Sequence, residues 1–382
     1  MPDAPHIAPS RTRSPREDPD TLARTLPGGH EDGRPFRPRR VLLTRAARDW
    51  PMAGRVAERA AAMGAEIVEL AGDRITGLKD DDPRTEYRRA KSTLAVTVAS
   101  AGAMRPQPIP PSADWRFDLA TGCPAHCQYC YLAGSLKGPP VTRLFVNLPE
   151  ILEHLPPLSG QGRITSTNAD RAGEGTTFEA SCYTDPLALE PLSGCLSETI
   201  SWFGERSDDL SLRFTTKFAE TASLEAAVHG GRTRVRLSVN AEEITRRFEG
   251  GTAPLAARLA AMGRLARAGY KVGLTVAPIM PVEDWEGAYD RLFAAASAAL
   301  PAGADVTVEL ITHRFTPGSR DVLLGWYPAT GLEMDPAVRT VKRNKFGGRK
   351  YVYPAPLMRE MRATLEGQAA ARLPGAQLLY WT

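Results

Sequence analysis

The chain has 382 residues, 42% of them hydrophobic and 24% charged, which excludes a low-complexity or collagen-like polymer and describes an ordinary globular protein. A formal net charge of +4 excludes a chain-wide polycation, so any polyanion must meet locally clustered basic residues. No apolar run reaches the roughly 18 residues of a spanning helix, so no membrane partner is expected.

The first forty residues are rich in Pro, Arg, Asp and Gly, with almost no large apolar groups and no central run of a secretory signal. Residues 1–39 therefore read as a disordered tail that buries too little surface to offset its ordering entropy; a weakly DNA-attracted arm is the competing reading. Order is expected from Arg40. RRVLLT reads as a strand, AGRVAERAAAMGA as an amphipathic helix stopped by glycine, and AEIVEL as a second strand. TEYRRAKSTLAVTVAS (85–100) adds a basic helix and a β-branched run, and the proline-dense 104–115 reads as a crossing segment.

Beyond it, apolar runs at 115–121, 142–148, 176–181, 210–216, 233–239, 271–278 and 305–312 alternate with helical stretches, clearest at 254–269 and 285–300. Strands alternating with helices favour a parallel sheet, open or closed into a barrel. The polar, Gly-rich segment 159–175 reads mostly as loop. KRNKFGGRKYVYPAP, with Gly-Gly between two basic and aromatic runs, carries a hairpin signal.

Five cysteines is an odd count, and Cys123, Cys127 and Cys130 fall within eight residues, TGCPAHCQYCY. This argues against a secreted disulfide framework and for a metal site in a reducing compartment, hence a cytoplasmic location. Three thiolates on one loop suit three irons of a [4Fe–4S] cubane and leave the fourth iron open. Structural zinc is the alternative, with His126 or Cys182 recruited as a further ligand.

The loop is the radical S-adenosylmethionine signature. With TEYRRAK, TTFEASC, TTKF, RVRLSVNAEEI, RFEGGTAPLAARL, VAPI, ITHRFT and the terminal hairpin, all in order, the chain from about residue 40 onward resembles the spore photoproduct lyase family. The first forty residues and much of 159–175 fall outside the resemblance. It implies an α/β fold: a small N-terminal α/β unit (40–103), a partial (β/α)6 TIM-like barrel (104–340), then a basic β-hairpin with a C-terminal helix or strand (341–382). It also implies a lyase that uses the cluster and S-adenosyl-L-methionine (AdoMet) to revert spore photoproduct, 5-thyminyl-5,6-dihydrothymine, to two thymines. The alternative is a radical enzyme acting on another nucleic-acid base or lesion. The implied partners are double-stranded DNA carrying a thymine lesion and a one-electron donor such as flavodoxin or ferredoxin. If the host sporulates, the spore interior is the expected location.

The resemblance also assigns residues. Cys182 is the expected hydrogen-atom donor to the thymine radical, against the alternative of a buried structural cysteine. Tyr129 and Tyr131 are expected to relay that hydrogen or to pack around the cluster. Thr184, where serine is usual, with Lys217, Ser238, Asn240 and the backbone near Ala277 are expected to bind AdoMet. Lys345, Phe346, Arg349 and Lys350 are expected to meet DNA, with Lys345-Phe346 standing where the family has Arg-Tyr. His313 and Arg314 are expected to line the lesion pocket, unless His313 is a core histidine. Arg88, Arg89 and Lys91 are candidates for phosphate contact, though a solvated helix face is the commoner fate. Cys195 reads as ordinary packing.

Overall fold

The computed structural model describes residues 35–135, 138–343 and 348–382. The strands, in chain order, are β1 (Arg40–Leu43), β2 (Glu66–Glu69), β3 (Thr93–Thr97), β4 (Gln107–Ile109), β5 (Ala113–Phe117), β6 (Ala120–Thr121), β7 (His126–Cys127), β8 (Thr142–Phe145) and β9 (Thr176–Ala180). Then come β10 (Leu210–Thr216), β11 (Thr233–Val239), β12 (Glu249–Gly250), β13 (Lys271–Ile279), β14 (Val306–Thr312), β15 (Thr340–Arg343), β16 (Arg349–Val352) and β17 (Gln377–Trp381). Among the described residues no helix is long and apolar enough to cross a membrane.

The N-terminal sheet has the order β2-β1-β3-β8-β6, parallel apart from the β6–β8 pair. Its central strands are apolar on both faces, as RVLL and TLAVT require for a covered parallel sheet. The helix Pro51–Ala62 starts on proline and lays Met52, Ala53, Val56 and Ala60 into the core at helical spacing. The helix Pro83–Lys91 is capped by Asp82, whose carboxylate accepts from Thr85 N at 2.9 Å.

The large sheet runs β17-β14-β13-β11-β10-β9-β5-β4. Six strands, β5, β9, β10, β11, β13 and β14, are parallel neighbours and form the curled half-barrel. β17 adds a parallel strand beside β14, and β4 lies antiparallel against β5 at the other edge. All seven residues of β11 are buried, as expected for the middle of a sheet covered on both faces. Inside the barrel, Glu309 pairs with Arg213 at 2.6 Å and Arg236 at 2.8 Å, and Arg236 pairs with Glu179 at 2.6 Å. These charges tie four strands together, and removing one partner leaves the others uncompensated at about 3–5 kcal/mol.

Two strands sit elsewhere than chain order suggests. The run at 142–148 forms β8, which joins the N-terminal sheet beside β3, and β17 extends the barrel sheet. Sheet membership therefore crosses the divisions at 104 and 341. Alternation of strand and helix carries no information on which of two sheets a strand enters.

The segment 159–175 is irregular apart from a short 3₁₀ turn and closes the N-terminal end of the barrel. Asp114, early in β5, gathers it by accepting from Ile164 N (2.6 Å), Thr165 N (3.0 Å), the Thr165 hydroxyl (2.6 Å) and the Ser166 hydroxyl (2.6 Å). Burial opposes ionisation of Asp114, but these donors hold it at about 2. The segment thus lies at the opposite end of the barrel from the cysteine loop and gives no ground for an altered substrate.

Candidate iron–sulfur and cofactor site

The cysteine loop leaves the C-terminal end of the β5–β6 segment, the end where α/β barrels carry their chemistry. Its conformation is held from three sides. β7 pairs antiparallel with β12, His126 opposite Gly250 and Cys127 opposite Glu249, and Gln128 N donates to Phe248 O at 2.9 Å. From the N-terminal unit, the buried Lys91 ammonium donates to the carbonyls of Cys123 and Ala125. The Tyr87 hydroxyl meets His126 Nδ1 at 2.9 Å and also the Tyr327 hydroxyl, which donates to His126 O at 3.1 Å.

Lys91 is therefore not a DNA contact: it is buried beneath the cluster loop because only there do two carbonyls replace its water. Arg89 pairs with Asp80 at 2.9 Å, and Arg88 donates to the Thr85 hydroxyl at 3.1 Å.

Cys123, Cys127 and Cys130 are free, partly buried thiols. Burial pushes Cys123 up to about 12 and Cys127 higher, with Lys91 and Lys217 the cations that oppose it. Such thiols do not ionise alone at neutral pH; a bound cationic centre is what would convert them to ligands. His126, the ligand zinc would recruit, places Nδ1 against Tyr87 instead. The donor set suits a polynuclear cluster spread over three sulfurs.

Around the loop, the ends of β9, β10, β11 and β13 bring Thr184, Lys217, Ser238 and Ala277 to one rim. The Thr184 hydroxyl oxygen is buried with no hydrogen-bond partner among the described residues. Lys217 donates to Glu249 Oε1 at 2.8 Å and to the Tyr129 hydroxyl at 3.0 Å. Glu249, fully buried, also pairs with Arg258 at 2.6 Å and accepts from the Tyr129 hydroxyl. Asp185 accepts from Lys217 N and from the Thr216 hydroxyl, each at 2.7 Å.

Asn240 is placed differently from expectation. Its amide donates to Pro278 O at 2.7 Å, and its oxygen accepts from the Tyr289 hydroxyl at 2.8 Å and Ala241 N at 3.0 Å. It is fully buried and joins the ends of β11 and β13, so it shapes the rim rather than facing a ligand.

Cys182 follows β9 through Ser181, whose backbone is left-handed at φ 57°. The Tyr131 hydroxyl donates to the Cys182 carbonyl, so the tyrosine after the third loop cysteine reaches the strand-end cysteine. Tyr129 is engaged away from it, with Glu249 and Lys217. Burial, then Asp118 and Glu179, push the Cys182 thiol up to about 12. Cys195 is buried and accepts from the Ser193 hydroxyl at 3.1 Å, as packing predicts.

The hairpin β15–β16 sets Lys342 opposite Lys350 and Arg343 opposite Arg349. Like charges directly across a ladder destabilise it, so this pattern does not serve the stability of the hairpin. Burial, with Arg314 and Lys342 adding to it, lowers Lys350 from the usual ammonium range. Lys345 and Phe346 lie outside the described residues. His313 is buried and its Nδ1 lies 3.1 Å from Arg339, which stacks 3.6 Å over Tyr353; burial lowers His313 to about 3. It anchors the hairpin root and does not line an open pocket, whereas Arg314 is exposed.

Sequence reasoning did not single out Glu249, Asp185, Asp118 or Tyr327. Glu249 and Asp185 sit inside RFEGG and FEASCYTD, where an acidic residue beside a cofactor motif was a usable signal; Tyr327 had none.

A half-barrel with a three-cysteine loop at its C-terminal mouth and a polar rim beside it defines a radical-type iron–sulfur enzyme. The family model described as spore photoproduct lyase matches residues 36–382. Spore photoproduct lyase of Bacillus subtilis (strain 168) is 36% identical over 351 residues, covering 91% of this chain and 99% of that protein. That of Geobacillus sp. (strain Y412MC61) is 37% identical over 352 residues, covering 91% and 100%. A solved mutant spore photoproduct lyase with bound AdoMet and dinucleoside spore photoproduct superimposes with TM-score 0.83 at 35% identity, covering 91% of this chain and 100% of that one. The chain belongs to the spore photoproduct lyase family, radical AdoMet lyases that use a [4Fe–4S] cluster and act in DNA repair.

Proposed function

We propose that this chain reverts spore photoproduct in double-stranded DNA to two thymines, with Cys123, Cys127 and Cys130 as cluster ligands. The observation that carries the reading is that the Tyr131 hydroxyl donates to the Cys182 backbone carbonyl, which ties the residue after the third loop cysteine to the strand-end residue that bears the thiol. When bound, cluster and cofactor supply a carbon radical that takes a hydrogen atom from the lesion. Lys217 faces the cofactor carboxylate, and the Thr184 hydroxyl, Ser238 and the backbone at Ala277 receive its polar groups. Cys182 gives its hydrogen atom to the thymine radical left after the inter-thymine bond breaks. Tyr131 returns a hydrogen to the sulfur, while Tyr129, held by Glu249 and Lys217, is the more distant relay member. Arg349, Lys350 and Arg314, together with Lys345 and Phe346, contact DNA.

The cluster needs a one-electron donor of the flavodoxin or ferredoxin kind and a reducing, cytoplasmic setting. The test is anaerobic incubation of reconstituted protein with AdoMet, dithionite and dinucleotide spore photoproduct, which should release thymidylyl-thymidine. Cofactor cleavage with the lesion intact would instead favour a different base or lesion as substrate.

A further inference from the structure

Two charged side chains beside the Cys182 thiol belong to neither the cluster nor the cofactor set. β5 and β9 run in parallel with Arg116 opposite Glu179 and Phe117 opposite Ala180. The residues just past them, Asp118 and the Ser181–Cys182 turn, therefore emerge side by side at the barrel mouth. The strand ends are stitched together: Ser181 N donates to Phe117 O at 2.7 Å, and Leu119 N donates to the Ser181 hydroxyl at 2.9 Å. The left-handed backbone at Ser181 is strained for a residue other than glycine. That strain is retained where the chain must turn off the strand line to present Cys182.

Arg116 and Asp118 form an ion pair at 3.0 Å, their side chains only 20% and 12% exposed. The Arg116 guanidinium lies 4.5 Å over the Tyr183 ring and within hydrogen-bonding reach of the Cys182 sulfur. The second carboxylate oxygen of Asp118, Oδ1, is buried with no hydrogen-bond partner among the described residues. A buried carboxylate held short of donors is an unfavourable arrangement, and it sits next to a thiol. The groups facing Cys182 are Asp118 and Arg116 from the end of β5, Glu179 from its own strand and Tyr131 from the cysteine loop.

We propose that Asp118 is a positioning residue for Cys182: it cancels the Arg116 guanidinium, so that the thiol is oriented by the arginine yet keeps its S–H hydrogen. The proposal rests on Cys182 being the hydrogen donor. A thiolate has no hydrogen atom to give, and a guanidinium beside a thiol favours the thiolate. Arg116 stacked on Tyr183 fixes the sulfur's surroundings but, alone, would pull the proton away. Asp118 supplies the opposing charge from the same strand end. Asp118 itself is pushed up to about 6 by burial despite Arg116, so it carries its charge at neutral pH.

The test is the rate at which iodoacetamide alkylates Cys182 in cluster-loaded protein, read by mass spectrometry of the Cys182 peptide. Asp118→Asn should raise that rate at pH 8 about tenfold. A shift of about two pH units gives roughly a hundredfold more thiolate, partly offset by its weaker nucleophilicity. The double variant Arg116→Gln/Asp118→Asn should fall back to near the wild-type rate, because the thiol is then merely buried. With lesion substrate, Asp118→Asn should show a share of adducts that rises from pH 8 to pH 10, while wild type stays flat. An unchanged alkylation rate in Asp118→Asn overturns the proposal. So does a double variant as reactive as the single one, which would mean an opened pocket rather than a lost charge. The donor reading fails separately, if Cys182→Ala leaves the lesion products unchanged.

Discussion

Glu249→Gln is the most informative single change. Glu249 takes part in two ion pairs, 2.6 Å to Arg258 and 2.8 Å to Lys217, and its side chain is fully buried. It also accepts from the Tyr129 hydroxyl, and its backbone pairs with Cys127. Glutamine keeps the shape and most hydrogen bonds but leaves Arg258, itself fully buried, without a counter-charge. Breaking one side of a buried pair costs about 3–5 kcal/mol. A second route gives a similar figure. Burial would raise the Glu249 carboxyl, but Arg258 and then Lys217 hold it at about 2, against 4.5 for an ordinary glutamate. At about 1.4 kcal/mol per pH unit that gap is worth about 3 kcal/mol. Because the folded value is the lower one, this stability is complete above pH 4.5 and drains away as pH falls toward 2. Urea unfolding of apo-protein should therefore show Glu249→Gln about 3 kcal/mol less stable at pH 7, with the gap narrowing below pH 4. The reconstituted variant should also bind AdoMet more weakly, since Lys217 loses its anchor. A variant within about 0.5 kcal/mol of wild type at pH 7 would refute the reasoning, as such surface-like values do not fit a buried pair.

Further outcomes follow from the same geometry. Cys182→Ala should continue to cleave AdoMet while lesion products divert to adducts, as seen by liquid chromatography and mass spectrometry. Changing Arg343 and Arg349 to Ala should lower the salt dependence of duplex binding, log Kd against log salt, by about 2. Asp114→Ala should speed proteolysis within 159–175 but leave the KM for AdoMet unchanged, since that loop lies at the far end of the barrel.

Much of this was legible from residue patterns. The β-branched runs mark β9, β10, β11, β13 and β14, and the two clearest helical stretches formed as helices at Leu255–Arg267 and Trp285–Ala299. Pairing was not legible. β8 and β17 carry ordinary apolar runs whose sheet is decided by long-range packing, which periodicity does not encode. The same limit applies to side-chain partners. Lys91 reads as one more cation on a basic helix, and only tertiary structure reveals two loop carbonyls above it. His313 in a strand-end motif suggests a pocket, yet burial and Arg339 make it a support. The cysteine loop was legible because its chemistry is local, three sulfurs within one turn of chain. Asp118 was not, because its neighbour Cys182 lies across strands and far away in sequence, and the RFEGG motif that flags Glu249 does not reveal its partners Lys217 and Arg258.

The most direct measurement uses dinucleotide spore photoproduct carrying deuterium at the ring carbon next to the inter-thymine bond. Anaerobic turnover with AdoMet should yield thymidylyl-thymidine and place deuterium in the 5′-deoxyadenosine formed. Unlabelled 5′-deoxyadenosine with the lesion left intact would contradict the account.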